Sequence, residues 1–211
     1  IGQGEVTLTP LQIANLGATI ANRGYFYTPH VVRKVEGEPL DDAFRHPHHT
    51  KASRRAYDYV VAGMRSSAMK GTCKMLSRLP FEACGKTGTA QNHGRDHSVF
   101  MGFAPMNKPK IAIAVYVENG GWGADFGVPI GSLMMEQYIN GHLSPSSEQQ
   151  AAAMQARRIG YGPRFPGQEK EKKAKMAAKT RKLKQKASAE GQNAEAAKES
   201  AAKAAEAKTS E

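Results

Sequence analysis

Ala83-Cys84-Gly85-Lys86-Thr87-Gly88-Thr89-Ala90-Gln91 sets one cation and two hydroxyls on a single short segment whose backbone is bare at Gly88. The segment reads as extended. Residues 87 and 89 are two apart, so in a strand their hydroxyls share one face, while Lys86 and Gly88 take the other. A lysine stem is long enough to carry its ammonium round to the mouth of a site on the hydroxyl side. Cation, hydroxyls and an approachable backbone together make the wall that an acyl-transfer site uses to hold an anion.

Downstream of this strand the pattern continues. His97 to Pro105 and Lys110 to Glu118 are two short apolar runs separated by the turn-rich Met106-Asn107-Lys108-Pro109, which predicts a β-hairpin. In the second run Ile111, Ile113, Val115 and Val117 share one face and Ala112, Ala114 and Tyr116 the other, so the strand is expected to be covered on both sides. After a loop at Gly120-Gly121-Trp122-Gly123-Ala124, Ile130, Leu133, Met134 and Tyr138 recur at helical spacing until Gly141, a C-terminal cap.

Upstream, Thr9-Pro10 starts a helix, with Thr9 at the cap and Pro10 at the first helical position, and the apolar face runs on towards Gly24. A second helix is expected from Ser53 to Lys70, with Tyr57, Val60, Val61, Met64 and Ala68 as its buried stripe and Gly71 as its end. Between them Val31, Val32 and Val35 suggest a short strand, and the polar stretch Glu36 to Thr50 suggests a surface loop.

Lys-Thr-Gly is one of the motifs of penicillin-binding proteins and β-lactamases. It is not alone here. From about Gly2 to Asn140 the chain resembles the carboxy-terminal half of the transpeptidase domain of class B penicillin-binding proteins, most closely the penicillin-binding protein 2 branch. The matching blocks are Gly2-Gln3-Gly4-Glu5 through Thr9-Pro10-Leu11-Gln12, then Gly85-Lys86-Thr87-Gly88-Thr89-Ala90, then His97 to Pro105, then Val117-Glu118-Asn119-Gly120-Gly121. Four blocks in the family's order are far more specific than a tripeptide. The resemblance implies an α+β fold, a five-stranded antiparallel sheet with helices on both faces, of which this chain would hold the last three strands and the closing helix.

It also implies roles. Lys86 and Thr87 would hold the terminal carboxylate of a D-Ala-D-Ala stem peptide or the carboxylate of a β-lactam. The Thr89 hydroxyl would join them, its backbone N–H would be one oxyanion-hole donor, and Gly88 would leave room for the acyl group. No cofactor and no metal are implied. The family's Ser-x-x-Lys nucleophile and its Ser-x-Asn or Ser-x-Asp element lie well upstream of Lys-Thr-Gly, so both are expected before Ile1, and this chain alone is expected to be inactive. The full-length family works at the outer face of the bacterial inner membrane, with membrane-anchored cell-wall synthesis machinery as partners.

One local match competes for the nucleophile. Ser67-Ala68-Met69-Lys70 fits Ser-x-x-Lys and on a helix sets serine and lysine one turn apart. It lies too close to Lys86 and at the end of a helix that the family places elsewhere, so we read Ser67 and Lys70 as a decoy, a solvated helix end with Lys70 near the negative pole of the dipole. His46-Pro47-His48-His49 clusters imidazoles in a polar loop without a cysteine at zinc-finger spacing. Asp96-His97 reads as structural, and Trp122 as a rim or packing residue. The glycines near Trp122 fit neither a phosphate loop nor a dinucleotide fingerprint.

Composition divides the chain. Of the net charge of +11, residues 1–150 carry 15 Lys and Arg against 12 Asp and Glu, while residues 151–211 carry 15 against 7. From Gln168 onward Met176 and Leu183 are the only large apolar residues, so that stretch cannot bury a core. Residues 1–145 are therefore expected to hold the transpeptidase portion and residues 146–211 a basic low-complexity tail, disordered or transiently helical. Without interleaved aromatics the tail gives little support to nucleic-acid binding. Cys73 and Cys84 are compatible with a disulfide or with free thiols. A non-catalytic peptidoglycan- or partner-binding module, and a basic-tailed nucleic-acid or surface-binding protein, are the competing readings.

Overall fold

The structure is a computed structural model that describes residues 3–32 and 34–160. Its elements are α1 (Pro10–Ala21), β1 (Tyr25–Phe26), α2 (Asp42–Arg45), β2 (His48–His49), α3 (Arg54–Lys70), a 3-10 turn (Lys74–Arg78), β3 (Cys84–Ala90), β4 (His97–Ala104), β5 (Ile111–Val117), α4 (Gly127–Asn140) and α5 (Pro145–Gln155).

The helix signals act as expected. The Thr9 hydroxyl accepts from Gln12 N–H while the Gln12 side chain accepts from Thr9 N–H, a reciprocal cap that satisfies two otherwise orphan donors. Ser53 caps α3, and α4 ends on Gly141 in the left-handed conformation, φ 79°. Arg65 of α3 donates to the Ala83 carbonyl at 3.1 Å and pairs with Glu82, which fixes the helix against the start of β3.

β3, β4 and β5 form one antiparallel sheet in that order. Thr87, Phe100 and Val115 stand in register on one face, and Gly88, Val99 and Tyr116 on the other. The Gly88 face is packed by α1 and α3 through Ile20, Ala21, Val61, Met64, Cys84 and Phe103. The Phe100 face is packed by α4, the 3-10 turn and the end of α3. β5 is thus flanked by α1 and α4 on its two faces, although Tyr116 remains 41% exposed.

Phe100 is the centre of the second layer and is fully buried. Its ring fits because the surrounding elements offer glycine where they meet it. A Cβ on Gly131 of α4 would lie 2.4 Å from the ring, one on Gly102 of β4 2.6 Å, and one on Gly85 of β3 2.7 Å.

Several expectations need correction. Val31, Val32 and Val35 form no strand: Val31 is fully exposed, and Val35 makes only an isolated bridge to Glu38. The strand pairing comes from Tyr25–Phe26 with His48–His49, where Phe26 stacks on His48 at 5.1 Å, so the stretch from Glu36 to Thr50 holds a strand and the short α2. In α3, Val60 is exposed while Val61, Met64 and Ala68 are buried. In α4 the buried face is Val128, Gly131, Ser132, Met135 and Glu136, with Met134 and Tyr138 exposed. Of the residues at the expected spacing Ile130 packs against the core, while glycine, serine and one carboxylate occupy much of the rest of the inner face.

The boundary expected at residue 145 falls at the start of a packed helix. Glu136 accepts from Ser144 N–H at 3.1 Å and from the Ser147 hydroxyl, and Gln150 reaches the Pro129 carbonyl and Ser132 Oγ. Burial pushes the Glu136 carboxyl up, but the bonds from Ser147 and Ser144 outweigh it and hold the group below its ordinary range. The tail beyond residue 160 lies outside the described residues. Among the described residues no helix is long and apolar enough to cross a membrane.

Gly131→Ala is expected to cost about 1–3 kcal/mol by overpacking Phe100. Phe100→Leu in the same chain should recover part of that loss. Urea unfolding of the two single variants and the double variant measures the coupling, and strict additivity would contradict the socket.

Candidate functional site

β3 carries the residues expected to form the wall. Thr87 and Thr89 point to the Phe100 face and Lys86 and Gly88 to the other, as the strand alternation requires. Lys86 is exposed, and its Nζ turns back to donate to the Thr87 carbonyl at 2.7 Å, which holds the ammonium against the strand backbone. Thr87, Gly88 and Thr89 are half-buried. Among the described residues β3 pairs with β4 alone, so its outer edge has no strand partner.

The hydroxyl side is built by two loops. Thr72, just after α3, meets Thr87 with hydroxyl oxygens 2.6 Å apart. Opposite, the loop between β5 and α4 presses its backbone on the strand pair: a Cβ on Gly123 would lie 2.5 Å from the Val99 carbonyl oxygen and 2.7 Å from Thr87 Cβ. That loop turns through left-handed backbone at Asn119 (φ 56°) and Gly121 (φ 79°). It is tied down by the buried Ser98, whose Oγ donates to the Trp122 carbonyl at 2.8 Å and accepts from Gly127 N–H at 3.0 Å. His97 Nδ1 accepts from Asn119 N–H at 3.0 Å, which places the neutral ring's proton on Nε2. This is the structural use expected for His97. Trp122 is 54% exposed at the loop tip.

On the Gly88 side lies a groove of about 380 Å³, lined by Val6, Leu8, Ile13, Gly88, Val99 and Tyr116. The bare Gly88 forms part of its floor. Gln3 borders it and makes a two-way contact with the chain just past β3: its Oε1 accepts from Gln91 N–H at 2.6 Å and its Nε2 donates to the Gln91 carbonyl at 3.3 Å.

Ser67 and Lys70 sit in the last turn of α3. Ser67 is half-buried with its hydroxyl beside the Cys73 thiol, and Lys70 is exposed. Burial pushes the Cys73 thiol up, and pushes Cys84 up to about 11. Both cysteines are free and buried, which suits packing rather than nucleophilic chemistry. His48 bonds Thr28 Oγ1 at 3.0 Å, and His49 lies against Tyr25. Among the described residues no group of three or more His, Cys, Asp or Glu is placed to hold a metal ion.

Sequence reasoning missed the parts that position the wall. Thr72 and Gly123 carry no local signal, since only the tertiary approach of their loops gives them a role. Gln3 stood within a matching block, but nothing in its neighbours announced a partner 88 residues away.

The penicillin binding protein transpeptidase domain family matches residues 1–136. This chain belongs to that family. It is 31% identical over 165 residues to the peptidoglycan D,D-transpeptidase MrdA of Haemophilus influenzae, an alignment that covers 68% of this chain and 25% of the relative. Among solved structures it is similar to penicillin-binding protein 2 of Pseudomonas aeruginosa, with a TM-score of 0.59 and 34% identity over 69% of this chain and 33% of that one. A ceftriaxone acyl-enzyme complex of penicillin-binding protein A from Mycobacterium tuberculosis gives a TM-score of 0.57 at 31% identity, covering 66% of this chain and 34% of that one. The chain thus spans about a quarter to a third of the proteins it matches. The fold is that of the penicillin-binding transpeptidase domain, as its motifs imply.

Thr72→Val removes one partner of the Thr87 hydroxyl at an exposed site, so its cost in stability is expected to stay below about 1 kcal/mol. Thr87 should instead lose its single side-chain rotamer, read from methyl scalar couplings by NMR. An unchanged rotamer would show that Thr72 does not orient it.

Proposed function

We propose that this chain supplies the Lys-Thr-Gly wall of the acyl-serine site of a peptidoglycan D,D-transpeptidase. The observation that carries the reading is Lys86, Thr87 and Thr89 on a strand whose outer edge has no strand partner among the described residues, between a pressed-in glycine loop and a bare glycine groove. The Lys86 ammonium and the hydroxyls of Thr87 and Thr89 bind the terminal carboxylate of a D-Ala-D-Ala stem peptide, or the carboxylate of a β-lactam, by charge-assisted hydrogen bonds. The strand edge pairs with the extended acyl donor.

A serine outside this chain attacks the carbonyl carbon of the penultimate D-Ala. Its Oγ–C bond forms as the bond to the terminal D-Ala nitrogen breaks, and the hydroxyl proton ends on that amine. An amine of a neighbouring stem peptide then attacks the ester, releases the serine with its proton, and leaves a cross-link. The Thr89 N–H stabilises the oxyanion in both steps, a kind of contribution worth about 10²–10³ in rate per donor. No cofactor is needed. The site works at the outer face of the inner membrane beside membrane-anchored cell-wall synthesis machinery. Ser67 and Lys70 take no part in the chemistry.

The chain alone is expected to form no adduct with a fluorescent penicillin that survives denaturation, because the attacking serine is not among its residues. Stoichiometric labelling at Ser67, abolished by Ser67→Ala, would contradict this and make the local Ser-x-x-Lys the nucleophile.

A further inference from the structure

Gln3 reaches the residue just past the site strand from 88 positions away, and it does so in an unusual form. A side-chain carboxamide has the donor and acceptor pattern of a peptide unit. Here both groups engage one backbone residue, accepting from Gln91 N–H at 2.6 Å and donating to the Gln91 carbonyl at 3.3 Å. This is how a neighbouring strand would bond Gln91. Along an extended chain the N–H and C=O of one residue point to the same edge, and that edge recurs every second residue. Gln91 directly succeeds Ala90, the last residue paired with β4, and both of its backbone groups are taken by Gln3. The N–H and C=O of Thr89, two residues earlier, therefore face the same open edge that Gln3 occupies at Gln91.

We propose that Gln3 is a positioning residue for acyl transfer: its carboxamide acts as a one-residue surrogate strand that closes the outer edge of β3 immediately beyond Thr89. That placement has two effects. An extended acyl donor pairing along the edge at Thr87 and Thr89 meets a filled position at Gln91, so its register is fixed. The end of β3 is also held flat, which aims the Thr89 N–H at the site instead of letting the strand end fray. Gln3 touches neither substrate nor serine in this scheme and acts through Gln91 and Thr89. The proposal rests on the reading of β3 as the substrate wall.

The test uses the full chain labelled with ¹⁵N, with acetyl-D-Ala-D-Ala as probe. In Gln3→Ala, amide hydrogen exchange at Gln91, and at Ala90 as the last residue paired with β4, should speed up by about three- to tenfold, as expected for one lost hydrogen bond. The probe's titration midpoint should rise by a similar factor, with exchange in β5 unchanged. Lys86→Ala should weaken the probe while leaving Gln91 protection intact. Unchanged exchange at Gln91 and Ala90, or a probe midpoint in Gln3→Ala equal to that of the parent, would overturn the role of Gln3. If the parent chain shows no probe-induced shift at Lys86, Thr87 or Thr89, the wall reading itself fails, and the positioning role falls with it.

Discussion

Packing around Phe100 sets everything else in this molecule. The ring is fully buried, and three elements approach it closely enough that only glycine fits at their contact points: Gly85 in β3, Gly102 in β4 and Gly131 in α4. Interiors are packed like crystals, so a ring enclosed this tightly fixes the separation of its neighbours to a few tenths of an ångström. Phe100 also stands opposite Thr87 in the β3–β4 register. The same contact that locks α4 onto the sheet therefore locks the strand residue on which the candidate chemistry depends.

From that anchor the site is assembled by short-range constraints. Gly123 brings the loop backbone down on Thr87 and Val99, and Ser98 holds the loop there with two bonds from a buried position. Thr72 meets Thr87 with its hydroxyl, and Gln3 bonds Gln91 just past the end of the strand. Among the described residues one edge of β3 has no strand partner. A preorganised wall of this kind loses little free energy to reorganisation when charge develops beside it, which is the main source of rate in oxyanion-stabilising sites.

Much of the fold was legible because its signals are local. Thr9-Pro10, Ser53 and Gly141 each terminate a helix by satisfying backbone groups within a few residues, and the two apolar runs joined by a proline-bearing turn fold as the hairpin they suggest. The errors came where tertiary packing overrode composition. Three valines gave no strand, because Tyr25–Phe26 found its partner in His48–His49 instead. The apolar spacing located α4 without giving its inner face, since Gly131, Ser132 and Glu136 turn inward while Met134 and Tyr138 turn out. At the site, Lys86, Thr87, Gly88 and Thr89 were readable as a motif. Thr72, Gly123 and Gln3 were not, since each acquires its role only when distant segments meet.

The most direct test of the central claim is labelling by a fluorescent penicillin after this chain is co-expressed with the amino-terminal half of a relative's transpeptidase domain, the half that carries Ser-x-x-Lys. If β3 is the wall of an acyl-serine site, the two pieces should form a covalent adduct on the supplied serine, and Lys86→Ala together with Thr87→Val in this chain should reduce the labelling rate by at least tenfold. Labelling that proceeds at the same rate with and without those two side chains would contradict the account.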